Sequence, residues 1–192
     1  MKSLLQNIGQ CQLCLAYLPG GVRPVVRASV EIRILIIGQA PGRKVHETGI
    51  PWNDPSGDQL RNWLGVSKDQ FYNEQLFALM PMGFCYPGKG KSGDLPPRKE
   101  CAPKWHPPLI TQMPNIKLTL LVGQYAQNHY LSKPHKTLTE NVSNFQNYLP
   151  TYFPLPHPSP RNRYWQSKNP WFENAVLPIL LDQIRSILKN TL

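Results

Sequence analysis

The sequence predicts an α/β protein, a three-layer α/β/α sandwich with a mostly parallel central sheet, and three observations carry that expectation. Short apolar runs end at Gly or Pro, segments with apolar residues at helical spacing separate them, and the end of the chain has a strong helical pattern. Residues 31–37 (EIRILII) form a short, β-branched apolar run that stops at Gly38, as a strand buried on both faces would. A polar Gly/Pro stretch follows to Gly57, and residues 58–64 then place Leu60, Trp63 and Leu64 on one helical face. Residues 77–82 (FALMPM) and 118–123 (LTLLVG) read as strands two and three. The segment 101–113 between them is expected to include a helical turn, and 124–131 a helix. Residues 152–155 lead into His157, and the tail, 171–192, sets Leu177, Ile179, Leu180, Ile184 and Ile187 at helical spacing. Ligands of such sheets gather outside the carboxyl ends of the strands, where Gly38 and His157 are both expected.

A chain of 192 residues fits one ordinary domain, and no linker, repeat or low-complexity segment divides it. The 21 prolines imply much stiff, irregular loop. Lys and Arg outnumber Asp and Glu by 21 to 11, so the surface carries a positive field and nucleic acid leads as a partner class, with simple solubility as the alternative. No apolar run approaches the roughly 18 residues that span a bilayer, and the N-terminus soon turns polar. A soluble, cytoplasmic monomer with no membrane partner is expected.

The four cysteines form a C-x2-C pair, Cys11 and Cys14, and a second pair, Cys85 and Cys101, separated by 15 residues rich in Gly and Pro. Cytosolic thiols are kept reduced, which favours a metal or cluster over disulfides. Spacing alone leaves zinc, iron–sulfur and four unrelated thiols open. The turn Gly38-Gln39-Ala40-Pro41-Gly42 matches neither the dinucleotide fingerprint nor the P-loop. Near the other end, His157 is followed by Pro158-Ser159-Pro160, a stiff loop able to hold an imidazole nitrogen toward a ligand.

Taken in order, GQAPG, TGIPWNDPSG, the four-cysteine set and HPSPRN resemble the uracil-DNA glycosylase superfamily over almost the whole chain, and its iron–sulfur branches, families four and five, most of all. The resemblance implies an enzyme that flips a deaminated base out of DNA and hydrolyses its glycosidic bond in base excision repair. It also implies a structural [4Fe-4S] cluster on Cys11, Cys14, Cys85 and Cys101. By the same resemblance His157 donates to the base carbonyl as charge develops there, and Gly38, Gln39 and Ala40 cradle the base edge. Trp52 offers a stacking platform for the base, or is buried for packing alone. Ser159 contacts a phosphate, and Arg161, Asn162 and Arg163 form the loop that enters the groove. Lys89, Lys91, Arg98 and Lys99 extend that surface or are merely solvated.

Three departures bear on chemistry. Gln39 stands where family four often has Glu, and Ala40 where the best-known relatives carry a water-activating Asp. The missing acid is sought at Asp54, whose D-x-S-G spacing matches family five, with helix capping as its other reading. Asp58 and Glu47 are weaker candidates. At the end of strand two Met80-Pro81-Met82-Gly83 has no base-reading Asn, so hypoxanthine and xanthine join uracil as expected substrates. The same gap suits a catalytically inactive iron–sulfur relative that binds DNA in a repair complex. A zinc protein with a nucleotide-binding α/β fold is the third reading.

Overall fold

Alternation of side chains along the strands divides the interior into two cores. In β1 (Ile34–Ile37), Ile34 and Ile36 belong to one apolar cluster, while Leu35 and Ile37 belong to the other. In β2 (Phe77–Leu79), Phe77 and Leu79 join the first cluster and Ala78 the second. In β3 (Leu118–Val122), Leu118, Leu120 and Val122 face the first and Leu121 the second. Strand β4 (Tyr152–Leu155) adds Phe153 and Leu155 to the first cluster. A sheet with both faces covered needs such continuous apolar strands, and it is what parallel pairing requires.

The computed structural model describes residues 1–189. Its strands pair in the order β2-β1-β3-β4, all parallel. The helices are α1 (Lys2–Gly9), α2 (Arg43–Thr48), α3 (Pro55–Leu64), α4 (Lys68–Phe71), α5 (Cys101–Thr111), α6 (Gln124–Tyr130), α7 (Leu138–Ser143), α8 (Arg163–Lys168) and α9 (Leu177–Lys189). Helices cover both faces, as the α/β sandwich expected from the sequence demands: α3 and α9 supply the first cluster, and α1, α5 and α6 the second.

Several boundaries differ from the sequence reading. The first strand begins at Ile34 rather than at residue 31, and Arg33 at its entrance donates its amide to Leu76 O at 3.1 Å. The second strand ends at Leu79, ahead of Pro81, which has no amide to continue a ladder. The segment after Cys101 is a full helix despite Pro107 and Pro108 inside it. The tail opens as a π-helical turn, Phe172–Val176, before α9, and residues 190–192 of the expected helix lie outside the described residues.

Two features aim the carboxyl ends of the strands. Because β1 is flanked by β2 on one side and β3 on the other, chain direction across the sheet reverses there, opening a crevice beyond Gly38 and Gly123. Beside it, the buried Gln127 amide donates to Leu155 O at 2.9 Å, and Gly123 N–H donates to the same oxygen at 2.9 Å. Asn141 in turn donates to Gln127 Oε1 at 3.2 Å. The exit of β4 is thereby held two residues before His157.

A second buried polar group lies on the opposite face. The Pro81 carbonyl can only accept, so His106 Nε2 donates to it at 3.0 Å and Nδ1 accepts from the Tyr130 hydroxyl at 2.6 Å. Burial lowers the His106 pKa to about 4. As pH falls from about 6.5 toward that value, the unfolded chain takes up a proton that the native state refuses, and stability declines across that window by up to about 3 kcal/mol. Urea denaturation at intervals across the window should show this slope in the wild type. In His106→Phe the slope should be shallower, from a lower starting stability.

Candidate active site

The crevice is a cavity of about 450 Å³, a volume within the ordinary range for a small-molecule site. Gly38, Gln39, Ala40, Trp52, Asp54, His157, Ser159, Arg161 and Asn162 all line it. Residues from both ends of the chain therefore meet, more than a hundred positions apart. Arg163 opens α8 as an exposed residue and does not line the cavity.

The turn after β1 is fixed through its carbonyls. Gly38 O and Gln39 O accept from the amides of Met82 and Gly83 at 2.9 and 3.1 Å. Among the described residues nothing takes the amides of Gln39 and Ala40, which leaves them as donors at the cavity wall. A Cβ on Gly38 would stand 2.7 Å from Trp52 Cζ2, so the bare glycine is what lets the indole lie against this turn.

Trp52 is, among the described residues, the one non-glycine residue at positive φ, +57°. Its neighbours hold it there. Tyr72 O–H donates to Pro51 O at 2.8 Å, and Arg61 Nη1 donates to Trp52 O at 3.4 Å. Gly57 passes so close that a Cβ would lie 1.7 Å from Trp52 O. The indole ends 5.8 Å, centroid to centroid, from the His157 imidazole at an interplanar angle of 31°. Trp52 thus both packs on the first core and lines the cavity.

Asp54 likewise fills both roles weighed for it. Its Oδ1 accepts from Gly57 N–H at 2.9 Å and caps α3. Its Oδ2 lies 3.9 Å from the position a Cβ would take on Gly42, at the cavity floor. The two other acids considered stand elsewhere. Asp58 pairs with Arg61, and Glu47 is an exposed partner of Arg43 at 3.8 Å; neither lines the cavity.

His157 has a defined tautomer. Ser159 N–H donates to Nδ1 at 3.2 Å, so Nδ1 carries the lone pair and the proton resides on Nε2. Burial lowers the imidazole pKa, partly opposed by the Asp54 carboxylate. A neutral ring that donates from Nε2 results. Asn162 Nδ2 donates to His157 O at 2.8 Å, which braces the loop rather than reaching outward. Ser159 Oγ accepts from Arg161 N–H at 3.3 Å. Arg161, expected to face DNA, donates from Nη1 to Ser92 O at 3.1 Å. That bond holds the loop 88–95 at the cavity, and Ser92, Gly93 and Asp94 line it, residues that in the sequence lie in the spacer between Cys85 and Cys101. Their signal was the clustering of Gly88, Gly90 and Gly93, which permits a tight return.

The four cysteines are free thiols that line a second, apolar pocket with Ile8, Leu18, Phe84 and Trp105. Phe84 N–H donates to Cys101 Sγ at 3.4 Å. Burial pushes the free Cys101 thiol up to about 12 and raises Cys85 and Cys14 as well. Among the described residues no three His, Cys, Asp or Glu side chains are grouped to hold a metal ion. Arg98 is paired with Glu100 at 2.5 Å and lies over Tyr17, so it is not free for phosphate; Lys89, Lys91 and Lys99 are exposed.

With this geometry in place, comparison with protein families decides the relationship. The family model described as the uracil DNA glycosylase superfamily matches residues 26–181. The chain belongs to that superfamily. Its members are typically DNA glycosylases, hydrolases that act on DNA. The matched segment includes both ends of the cavity, Gly38 and His157, and starts after Cys11 and Cys14. Among the described residues no helix is long and apolar enough to cross a membrane.

The tether from Arg161 to Ser92 has a direct consequence. Arg161→Ala should raise amide hydrogen exchange across residues 88–95 with little change at β1 or β3. Equal protection in both proteins would mean that the loop holds itself.

Proposed function

We propose that this protein is a DNA glycosylase that flips a deaminated base, uracil and with it hypoxanthine or xanthine, into the cavity between Gly38 and His157 and hydrolyses its N-glycosidic bond. One observation supports this reading above the others: a half-buried neutral imidazole with its proton on Nε2 shares a base-sized cavity with a carboxylate oxygen and an indole face. Cleavage places negative charge on the departing base and positive charge on the sugar, and both must be met by groups already in position. His157 Nε2–H and the amides of Gln39 and Ala40 donate to the base oxygen as it becomes anionic. Trp52 returns part of the stacking the base gave up on leaving the helix.

The bond between C1′ and the base nitrogen breaks with its electron pair on the base. A water oxygen then bonds to C1′, its proton passes to Asp54 Oδ2, and the base anion is protonated from solvent. Asp54 Oδ1 remains engaged by Gly57 N–H, which leaves Oδ2 free for this role. Ser159 and the positive surface bind phosphates, and such contacts position DNA without reading its sequence. The end of β2 offers Pro81 to the cavity where an Asn would select uracil, which supports the broader substrate range.

The iron–sulfur branch is the part of the superfamily to which we assign the chain. Cys11, Cys14, Cys85 and Cys101 would hold a [4Fe-4S] cluster, since they line one pocket, where Cys101 also receives an N–H donor suited to a thiolate. Such a group would tie the segment after α1 to the start of α5, away from the base cavity. A zinc ion, at about 2.3 Å from each sulfur, draws four thiolates closer together than a four-iron cluster does. The protein is further read as a single domain and a monomer in the cytoplasm.

A second reading is favoured by the same gap at the end of β2: a relative that binds DNA without cleaving it. Oligonucleotides containing uracil, hypoxanthine or xanthine, single- and double-stranded, followed by alkaline cleavage, separate the two. Strand cleavage at a lesion supports the enzyme, whereas binding without cleavage supports the second reading. In single-turnover assays His157→Ala and Asp54→Asn should each lose on the order of a hundredfold in rate at nearly unchanged DNA affinity. An unchanged rate in Asp54→Asn would leave that residue as a helix cap alone. The purified protein should be brown, with iron and sulfide in equal amounts, and Cys101→Ala should be colourless. A colourless wild type with one zinc per chain would replace the cluster by zinc.

A further inference from the structure

The cavity holds a second carboxylate that neither the motifs nor the mechanism above uses. The loop 88–95 folds back on itself, with Gly90 N–H donating to Gly93 O at 2.6 Å and Leu95 N–H to Gly88 O at 2.9 Å. Lys89 and Asp94 bridge across the return, and Arg161 holds Ser92 O from the opposite wall. Asp94 is thereby delivered to the cavity lining. Tyr86 O–H donates to Asp94 Oδ1 at 3.4 Å, which leaves Oδ2 as the outward oxygen. That oxygen is 3.6 Å from the point a Cβ would occupy on Gly42, and Asp54 Oδ2 is 3.9 Å from the same point. Two carboxylate oxygens therefore lie within 4 Å of the point where a side chain at position 42 would begin. Both acids and Gly42 line the same cavity.

We infer that Asp94 is a second acid of the site, an electrostatic partner of Asp54 that stabilises the positively charged sugar across Gly42. This rests on reading the cavity as a glycosylase site. Two like charges facing one cavity repel each other when it is empty, and a cation placed near both relieves that repulsion. The developing sugar cation is the one positive species the reaction produces, and it forms on the side of the base away from the group that receives its negative charge. Asp94 takes no proton in this role and breaks no bond. Asp54 keeps the water, so the two acids divide the work. The loop that carries Asp94 is exposed until DNA covers it, and exclusion of water then strengthens its field.

The test uses DNA with a pyrrolidine abasic site, whose ring nitrogen is positively charged, beside DNA with a neutral tetrahydrofuran abasic site. Wild type should bind the cationic analogue more tightly. Asp94→Asn should lose about tenfold or more of that preference, with neutral-site affinity nearly unchanged and single-turnover excision reduced in parallel. Asp94→Glu should recover part of both. A wild type with no preference for the cation, or an Asp94→Asn variant that keeps it, overturns the inference. If wild type excises a base and Asp94→Asn excises it at the same rate, Asp94 falls and the glycosylase reading stands. If no base is excised yet the variant loses the cation preference, the glycosylase reading falls and the role of Asp94 in cation recognition stands.

Discussion

Trp52 adopts a left-handed backbone conformation because everything around it is built to hold that turn. The penalty for such a conformation in a bulky residue is on the order of 1–3 kcal/mol, comparable to the net gain from two or three ordinary hydrogen bonds. Tyr72 and Arg61 supply two such bonds to the carbonyls of Pro51 and Trp52, and Asp54 a third through its cap on α3. Gly57 supplies the space, since any side chain there would collide with the Trp52 carbonyl. The turn and helix α3 are therefore one unit. Moving the helix would move the indole, the carboxylate and the cavity floor together.

That unit also accounts for two glycines of the motif region. Gly38 is bare because the indole rests on it, and Gly42 lies beside two carboxylate oxygens. The segment from residue 38 to residue 57 works as a folded surface rather than a ligand-gripping loop of the phosphate-binding kind. The amides of Gln39 and Ala40 are left for the cavity, while the carbonyls of Gly38 and Gln39 are taken up by Met82 and Gly83 on the side of β2.

The opposite wall obeys a different constraint. His157 follows β4, whose exit is set by the buried Gln127 amide and by Gly123 N–H on one carbonyl oxygen. The Ser159 amide then selects the imidazole tautomer, and Asn162 closes the loop from below. Each part of HPSPRN has an internal partner. Pro158 and Pro160 limit the backbone, Ser159 and Asn162 brace it, and Arg161 reaches across to Ser92. The motif is as much a device for holding one histidine as a surface for DNA.

How much of this was legible beforehand depends on the range over which each interaction acts. Strand β1, strand β3 and helix α9 were readable because apolar period and the Gly or Pro that ends a run are local properties of the chain. The convergence of Cys11, Cys14, Cys85 and Cys101 on one pocket was foreshadowed by their spacing, and the meeting of Gly38 with His157 by the rule that parallel strands gather ligands at their carboxyl ends. Strand β4 was not assigned, since Tyr-Phe-Pro-Leu has neither a clean period nor a bounding turn, and only its pairing with β3 makes it a strand. The sense of φ at Trp52, the proton on His157 Nε2, the bond from Arg161 to Ser92 and the arrival of Asp94 beside Asp54 were decided by tertiary structure alone. Each depends on a partner from another part of the chain or on the exact path of a turn. No pattern in neighbouring residues specifies such a partner until the sheet has set the distances.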